Sequence, residues 1–205
     1  MRISFSYLTI LLRRLELSRL IYGIGVNDAD YVVKPMINGK RVSCPYYQKW
    51  MPMLQRCYSE GFHARQPTYI GCEVSEEWKT FSNFKAWMET QDWIGKELDK
   101  DILFPDNKIY SETTCIFVGQ NVNKFLTERQ FARGLYMLGV YWHKRIKKFG
   151  AQCHDGNGKQ MHLGYFNTEL EAHLAWKTYK HKLACKLADE QSDQRVAEAL
   201  RKRFA

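Results

Sequence analysis

The sequence predicts an α+β protein: a small central module of two strands and a helix with flanking helices, followed by a C-terminal three-stranded antiparallel sheet packed on one helix. Three observations predict it. Aromatic and apolar residues recur at helical spacing in two central stripes: Tyr47, Trp50, Met53, Leu54 and Cys57, then Trp78, Phe81, Phe84, Trp87 and Met88. Near the C-terminus, alternating runs flank the turn Gly156-Asn157-Gly158. After them, Asn167 or Thr168 offers a helix cap, with Glu169 and Glu171 in the first turn, where the helix dipole favours anions.

Composition narrows the class. The chain has 205 residues and is 45% hydrophobic, enough to bury a core, which argues against disorder. Its formal net charge of +9 favours a polyanionic partner, and nucleic acid is the commonest. None of the six cysteines sits in a C-x-x-C pair. They read as reduced thiols of a cytosol, with a zinc site built from Cys44, Cys57, Cys72 and Cys115 left open. The apolar run 3–12 is too short to span a bilayer, and its charges, Arg13 and Arg14, follow it rather than precede it. An amphipathic helix over residues 4–22 is expected instead, and no membrane.

Five segments follow in order. Residues 1–45 are a helix and then a loop or hairpin, marked by Gly23, Gly25, the extended run Tyr31-Val32-Val33 and the turn pair Asn38-Gly39. Residues 46–126 are the central module, whose two stripes read as core, with Gln66-Pro67-Thr68-Tyr69 extended or turning between them. Residues 127–138 are a helical linker, with Thr127 as its N-cap. Residues 139–188 are strand, strand, strand, helix. Residues 189–205 are a charged helical tail that keeps Val196, Ala197, Leu200 and Phe204 on one face.

In the C-terminal module, side chains alternate across each strand. Val140 and Trp142 face one way; Tyr141, His143 and Arg145 face the other. Gln152 and His154 share a face of the second strand, and Leu163 and Phe166 point inward from the third, apart from His162 and Tyr165. Ala172, Ala175, Trp176 and Tyr179 form the packing stripe of the helix. The uncovered face suits DNA: Arg145 can bond guanine bidentately, while Lys144, Lys147 and Lys148 neutralise phosphates. The run Leu163-Gly164-Tyr165-Phe166-Asn167-Thr168-x-x-Glu171-Ala172-x-x-Ala175-Trp176 resembles the APETALA or ethylene-response-factor (ERF) DNA-binding domain. The resemblance covers about 50 residues, a domain-sized stretch. That family also occurs in phage and homing endonucleases. The resemblance implies reading of the major groove from the first two strands, by Tyr141, His143, Arg145, Gln152 and His154. This chain carries fewer arginines there than the plant members do.

The stretch from Leu98 to Asn123 is similar to the HNH nuclease core of phage endonucleases. The resemblance implies that Asp99 binds a divalent metal, Mg²⁺ for choice, and that Asn107 braces the loop. It makes Asn121 the helix ligand, with Asn123 or Asp101 as the fallback. It assigns the general base to Lys100, where the family has histidine, and a lysine protonated near neutral pH accepts no proton. Two readings stay open: a DNA-binding remnant without hydrolysis, or a nuclease whose base is another residue or a metal-bound hydroxide. His63, His173 and His181 are the substitutes within the chain. The expected partner is double-stranded DNA, and a homodimer is left open.

Overall fold

The computed structural model describes residues 20–126, 135–156 and 158–205. The chain divides into two compact units, the first ending at Phe117 and the second starting at Val118. Together they make a mixed α+β protein with six α-helices and several small sheets among the described residues, one of them three-stranded and antiparallel. Nearly all of the helix expected over 4–22 and most of the expected linker helix lie outside the described residues. The end of the former is described, and it is a turn in which Ile21 bridges Gly25.

The first unit opens with a two-stranded ribbon, β1 (Met36–Ile37) and β2 (Lys40–Arg41). Asn38 and Gly39 turn it at φ of 50° and 72°, the left-handed pair that such a tight turn requires. Helix α1 (Pro45–Tyr58) begins on a proline, whose missing N–H costs nothing in a first turn. Its expected stripe of Tyr47, Trp50, Met53, Leu54 and Cys57 is buried throughout. A short helix α2 (Glu60–His63) and a 3₁₀ turn at Pro67–Tyr69 lead to strand β3 (Glu73–Val74). A second 3₁₀ turn (Glu77–Lys79) then carries Trp78 into helix α3 (Phe81–Glu89).

The core of this unit is aromatic. Trp78 meets Phe84 edge-on at 5.1 Å, and Tyr47 meets Phe81 at 5.4 Å. Each such pair adds about 0.5–1.5 kcal/mol beyond its buried area. The Trp50 indole N–H, fully buried, donates to the Trp78 carbonyl at 2.7 Å, so this large ring leaves no polar atom unsatisfied. Gly25 is required beside it, since a Cβ there would fall 2.3 Å from Leu54.

Strand β4 (Lys96–Asp99) pairs with β6 (Ile116–Gly119), the strand within which the two units divide. The intervening strand β5 (Ile109–Tyr110) pairs elsewhere, parallel to β3.

The second unit continues into helix α4 (Gln120–Leu126) and the antiparallel sheet β7 (Val140–His143), β8 (Lys148–His154) and β9 (Gln160–Phe166), in that spatial order. Helix α5 (Glu169–Asp189) backs the sheet, and α6 (Gln194–Arg203) packs against α5. Val196, Ala197, Leu200 and Phe204 are the buried face of that last segment. Lys180 spans α5 to α4: its ammonium lies 3.5 Å from the Phe125 ring and donates to the Phe125 carbonyl at 2.9 Å.

Candidate nucleic-acid interface

Two turns shape the sheet. Between β8 and β9, Gly156 and Gly158 have φ near 90°, and Asp155 closes the turn by donating its N–H to the Lys159 carbonyl at 2.9 Å. Between β7 and β8, residues 144–147 form an exposed turn closed by Lys147 at φ 50°. Arg145 therefore lies in this turn and not on the strand face with Tyr141 and His143. Lys144 and Lys147 share the turn, and Lys148 opens β8.

Register decides which side chains share a face. His143 pairs with Lys148, and Tyr141 with Gly150. Across the other edge of β8, Gly150 pairs with Tyr165, Gln152 with His162, and His154 with Gln160. Cross-strand partners project to the same side. One face thus carries Tyr141, His143, Lys148, Gln152, His154, Gln160, His162 and Tyr165. Regular alternation would send His162 and Tyr165, three residues apart, to opposite faces. A bulge at Ala151/Gln152 absorbs the odd residue, and Gly164, at φ 130°, lies on the strand it faces. The two rings consequently meet at 4.5 Å, and His143 meets Tyr165 edge-on at 5.2 Å.

Tyr141 lies across Gly150, where a Cβ would fall 2.3 Å from its ring, so the glycine is the floor on which the tyrosine rests. Its hydroxyl is 3.4 Å from His162 Nδ1. Partial burial and the adjacent Tyr165 hydroxyl push this phenol above its usual range, which keeps it neutral and able to donate. His143 Nδ1 accepts the Ile146 N–H at 3.4 Å, which ties the basic turn to the sheet.

The opposite face is closed. Ala151 and Cys153 are buried beneath Trp176 of α5. Gly139, at φ 75°, passes so near Trp176 that a Cβ would fall 2.0 Å from the indole. Thr168 caps α5 in a reciprocal capping box with Glu171, a motif worth about 1 kcal/mol. His173 holds the Leu138 carbonyl at 2.9 Å and stacks on Trp176. Among the described residues the helix covers the sheet from behind, while on its front His154, Gln160, His162 and Tyr165 are exposed and Tyr141, His143 and Gln152 partly so.

The loop after β4 is arranged differently. Asp99 Oδ1 accepts the N–H groups of Asp101 and Ile102, both at 2.8 Å, and closes the turn. Burial pushes the Asp99 carboxyl above the usual carboxylate range. Lys100 is only 6% exposed. Its ammonium donates to Asp101 Oδ1 and to the Asn107 carbonyl, each at 2.5 Å. The Asn107 amide returns bonds to the Lys100 and Ile109 carbonyls at 3.0 and 2.6 Å. Asn107 braces this loop. Asn121 and Asn123 belong to the second unit, and the Asn121 side-chain oxygen accepts the Val122 N–H at 2.9 Å.

As a metal site this loop fits poorly. One Asp99 oxygen is committed to two backbone donors, and the Asp101 carboxylate is already neutralised by an ammonium. No group of three or more His, Cys, Asp or Glu gathers around a common point among the described residues. Cys57 and Cys115 are buried, and burial pushes both thiols up to about 12. Cys72 is raised for the same reason, and Cys44 lies against the Tyr31 hydroxyl. His63 Nε2 is paired with the Arg56 carbonyl at 2.8 Å, and His181 with Cys185 Sγ at 3.5 Å. No helix among the described residues is long and apolar enough to cross a membrane.

No protein-family model, no curated protein and no solved structure matches the chain.

Proposed function

We propose that the protein binds double-stranded DNA, with the open face of β7–β9 lying in the major groove and the residue 144–147 turn on the phosphates. One observation carries this reading: a helix-backed sheet leaves aromatic, imidazole and amide side chains partly or wholly exposed on its other face. From Val140 to Phe166 the chain has Lys144, Arg145, Lys147, Lys148 and Lys159 against the single carboxylate Asp155. A twisted sheet of this size can enter a major groove. In this reading Tyr141, His143, Gln152, His154, His162 and Tyr165 face base edges. Arg145 reaches a guanine or an adjacent phosphate from the turn, and the lysines supply charge. The resemblance to the APETALA-type domain supports the same assignment. Six cysteines without a disulfide suit a reducing, cytosolic compartment.

The endonuclease reading rests on the order of β4, β6 and α4 and on Asn107, which resemble an HNH core. Lys100 counts against it, because a buried ammonium that donates to two acceptors has no lone pair to take a proton. Binding without hydrolysis at this loop is therefore the favoured form of the proposal.

A gel-shift titration on random duplex, with and without Mg²⁺, tests the binding. Affinity should fall steeply with salt, by roughly 0.9 log units per log unit for each phosphate contacted. Arg145→Ala should weaken it by roughly 1–3 kcal/mol. Salt-insensitive, weak association would sink the proposal. Nicking of supercoiled plasmid that requires Mg²⁺ and vanishes in Asp99→Ala would restore the nuclease.

A further inference from the structure

The ribbon β1–β2 in the first unit is left unused by the sheet interface. It is longer than its two-residue strands suggest. Val42 donates its N–H to the Pro35 carbonyl at 2.9 Å, and Cys44 to the Val33 carbonyl at 2.8 Å, so the two arms stay paired down to the base. The base is anchored: Val33 and Cys44 pack against the aromatic core, and the Lys34 ammonium sits 5.1 Å over the Tyr47 ring. The tip is bare. Met36 and Ile37 are 62% and 50% exposed, and Lys40 and Arg41 are exposed beside them.

Register gives both faces of the tip the same chemistry. Met36 pairs with Arg41, and Ile37 with Lys40. Each face therefore presents one aliphatic and one cationic side chain. No ion pair engages Lys40 or Arg41 among the described residues, and the sequence has no carboxylate between Asp30 and Glu60. A bare ribbon edge with exposed aliphatics normally invites another strand. A second copy of this ribbon would bring like charges together, whereas a polyanion would not.

We propose that this ribbon is a second DNA-contacting element that inserts into a groove of the duplex. Its two faces meet the two walls of the groove, Lys40 and Arg41 take one phosphate each on opposite sides, and Met36 and Ile37 pack on apolar base edges such as thymine methyls. The major groove, about 12 Å wide, admits a two-stranded ribbon without deformation; the minor groove, about 6 Å wide, does not. The assignment rests on duplex DNA being the ligand of the whole chain.

The experiment measures anisotropy of a labelled random duplex against the full chain across a salt series. Its arms are wild type, Lys40→Ala/Arg41→Ala, and Met36→Ser/Ile37→Ser. All four positions are exposed, so melting temperatures should match wild type. The cation pair should reduce the salt slope by about 2 and weaken binding on the order of tenfold near physiological salt. The aliphatic pair should weaken binding several-fold and leave the slope as it is. Wild-type slope and affinity in the cation variant would overturn the ribbon assignment while leaving the sheet interface standing. Absence of any salt-dependent binding by wild type would instead overturn the DNA reading itself.

Discussion

The loop after β4 and the front of the β7–β9 sheet both gather polar and charged residues, and they use them in opposite ways. In the loop Asp99, Lys100 and Asn107 turn inward, while Asp106 and Lys108 stay exposed. Asp99 takes two backbone N–H groups, Lys100 takes a carboxylate and a carbonyl, and Asn107 spans three backbone atoms. On the sheet the polar groups touch one another only at the margins of hydrogen-bond distance, and the turn cations point to solvent. A buried polar group must be satisfied internally or it costs free energy. Satisfied groups hold a backbone, and groups left to water are available to a ligand. On that criterion the sheet is the candidate interface, and the side chains of Asp99, Lys100 and Asn107 hold their own loop.

The largest effect expected from this contrast is on stability. Lys100→Met removes a buried donor and leaves the Asn107 carbonyl unpaired, at a cost of about 2–4 kcal/mol in urea unfolding. DNA binding by the folded fraction should be unchanged. A variant as stable as wild type would mean that the loop does not depend on Lys100 and would reopen a chemical role for it. On the sheet, Tyr165→Ala and His162→Ala should do the reverse. Each should weaken duplex binding by roughly 1–3 kcal/mol, with the melting temperature little changed, because both side chains are exposed. A binding isotherm that stays put would remove the aromatic cluster from the interface.

A smaller effect is expected from Gly150→Ala, which displaces the Tyr141 ring and should cost several-fold in affinity. Tyr141→Ala should abolish that penalty in the double variant, as coupled neighbours do. Independent, additive losses would argue that Tyr141 does not rest on the glycine.

The smallest effect concerns pH. Burial raises the Asp99 carboxyl in the folded state, so the folded protein binds its proton more readily than the unfolded chain. The stability this group withholds is thus recovered as pH falls through its folded pKa and is missing above it. Asp99→Asn keeps an oxygen for the two N–H groups and should flatten that part of the stability–pH curve, with a slight gain at neutral pH. A marked loss at neutral pH would show that the carboxylate charge itself is needed.

How much of this was legible beforehand differs between the units. The stripe on α1 was readable because helical spacing alone brings Tyr47, Trp50, Met53, Leu54 and Cys57 to one side. The Asn38-Gly39 turn was readable because few residue pairs tolerate two left-handed conformations. Arg145 was expected on the strand with Tyr141 and His143. Alternation cannot foresee where a strand stops, and this one stops at His143. His162 and Tyr165 were expected off the packed face without being named as readers; that their rings meet depends on the register shift against β8.

What the sequence determined by itself was composition and local pattern: the sign of the charge follows from the whole chain, and periodicity, turn chemistry and the α5 cap from residues within a few positions of one another. Tertiary structure alone decided which polar residues were spent. Asp99, Lys100 and Asn107 find their partners within the folded loop, and the front of the sheet finds few, because satisfying a hydrogen bond depends on what the chain brings close in space.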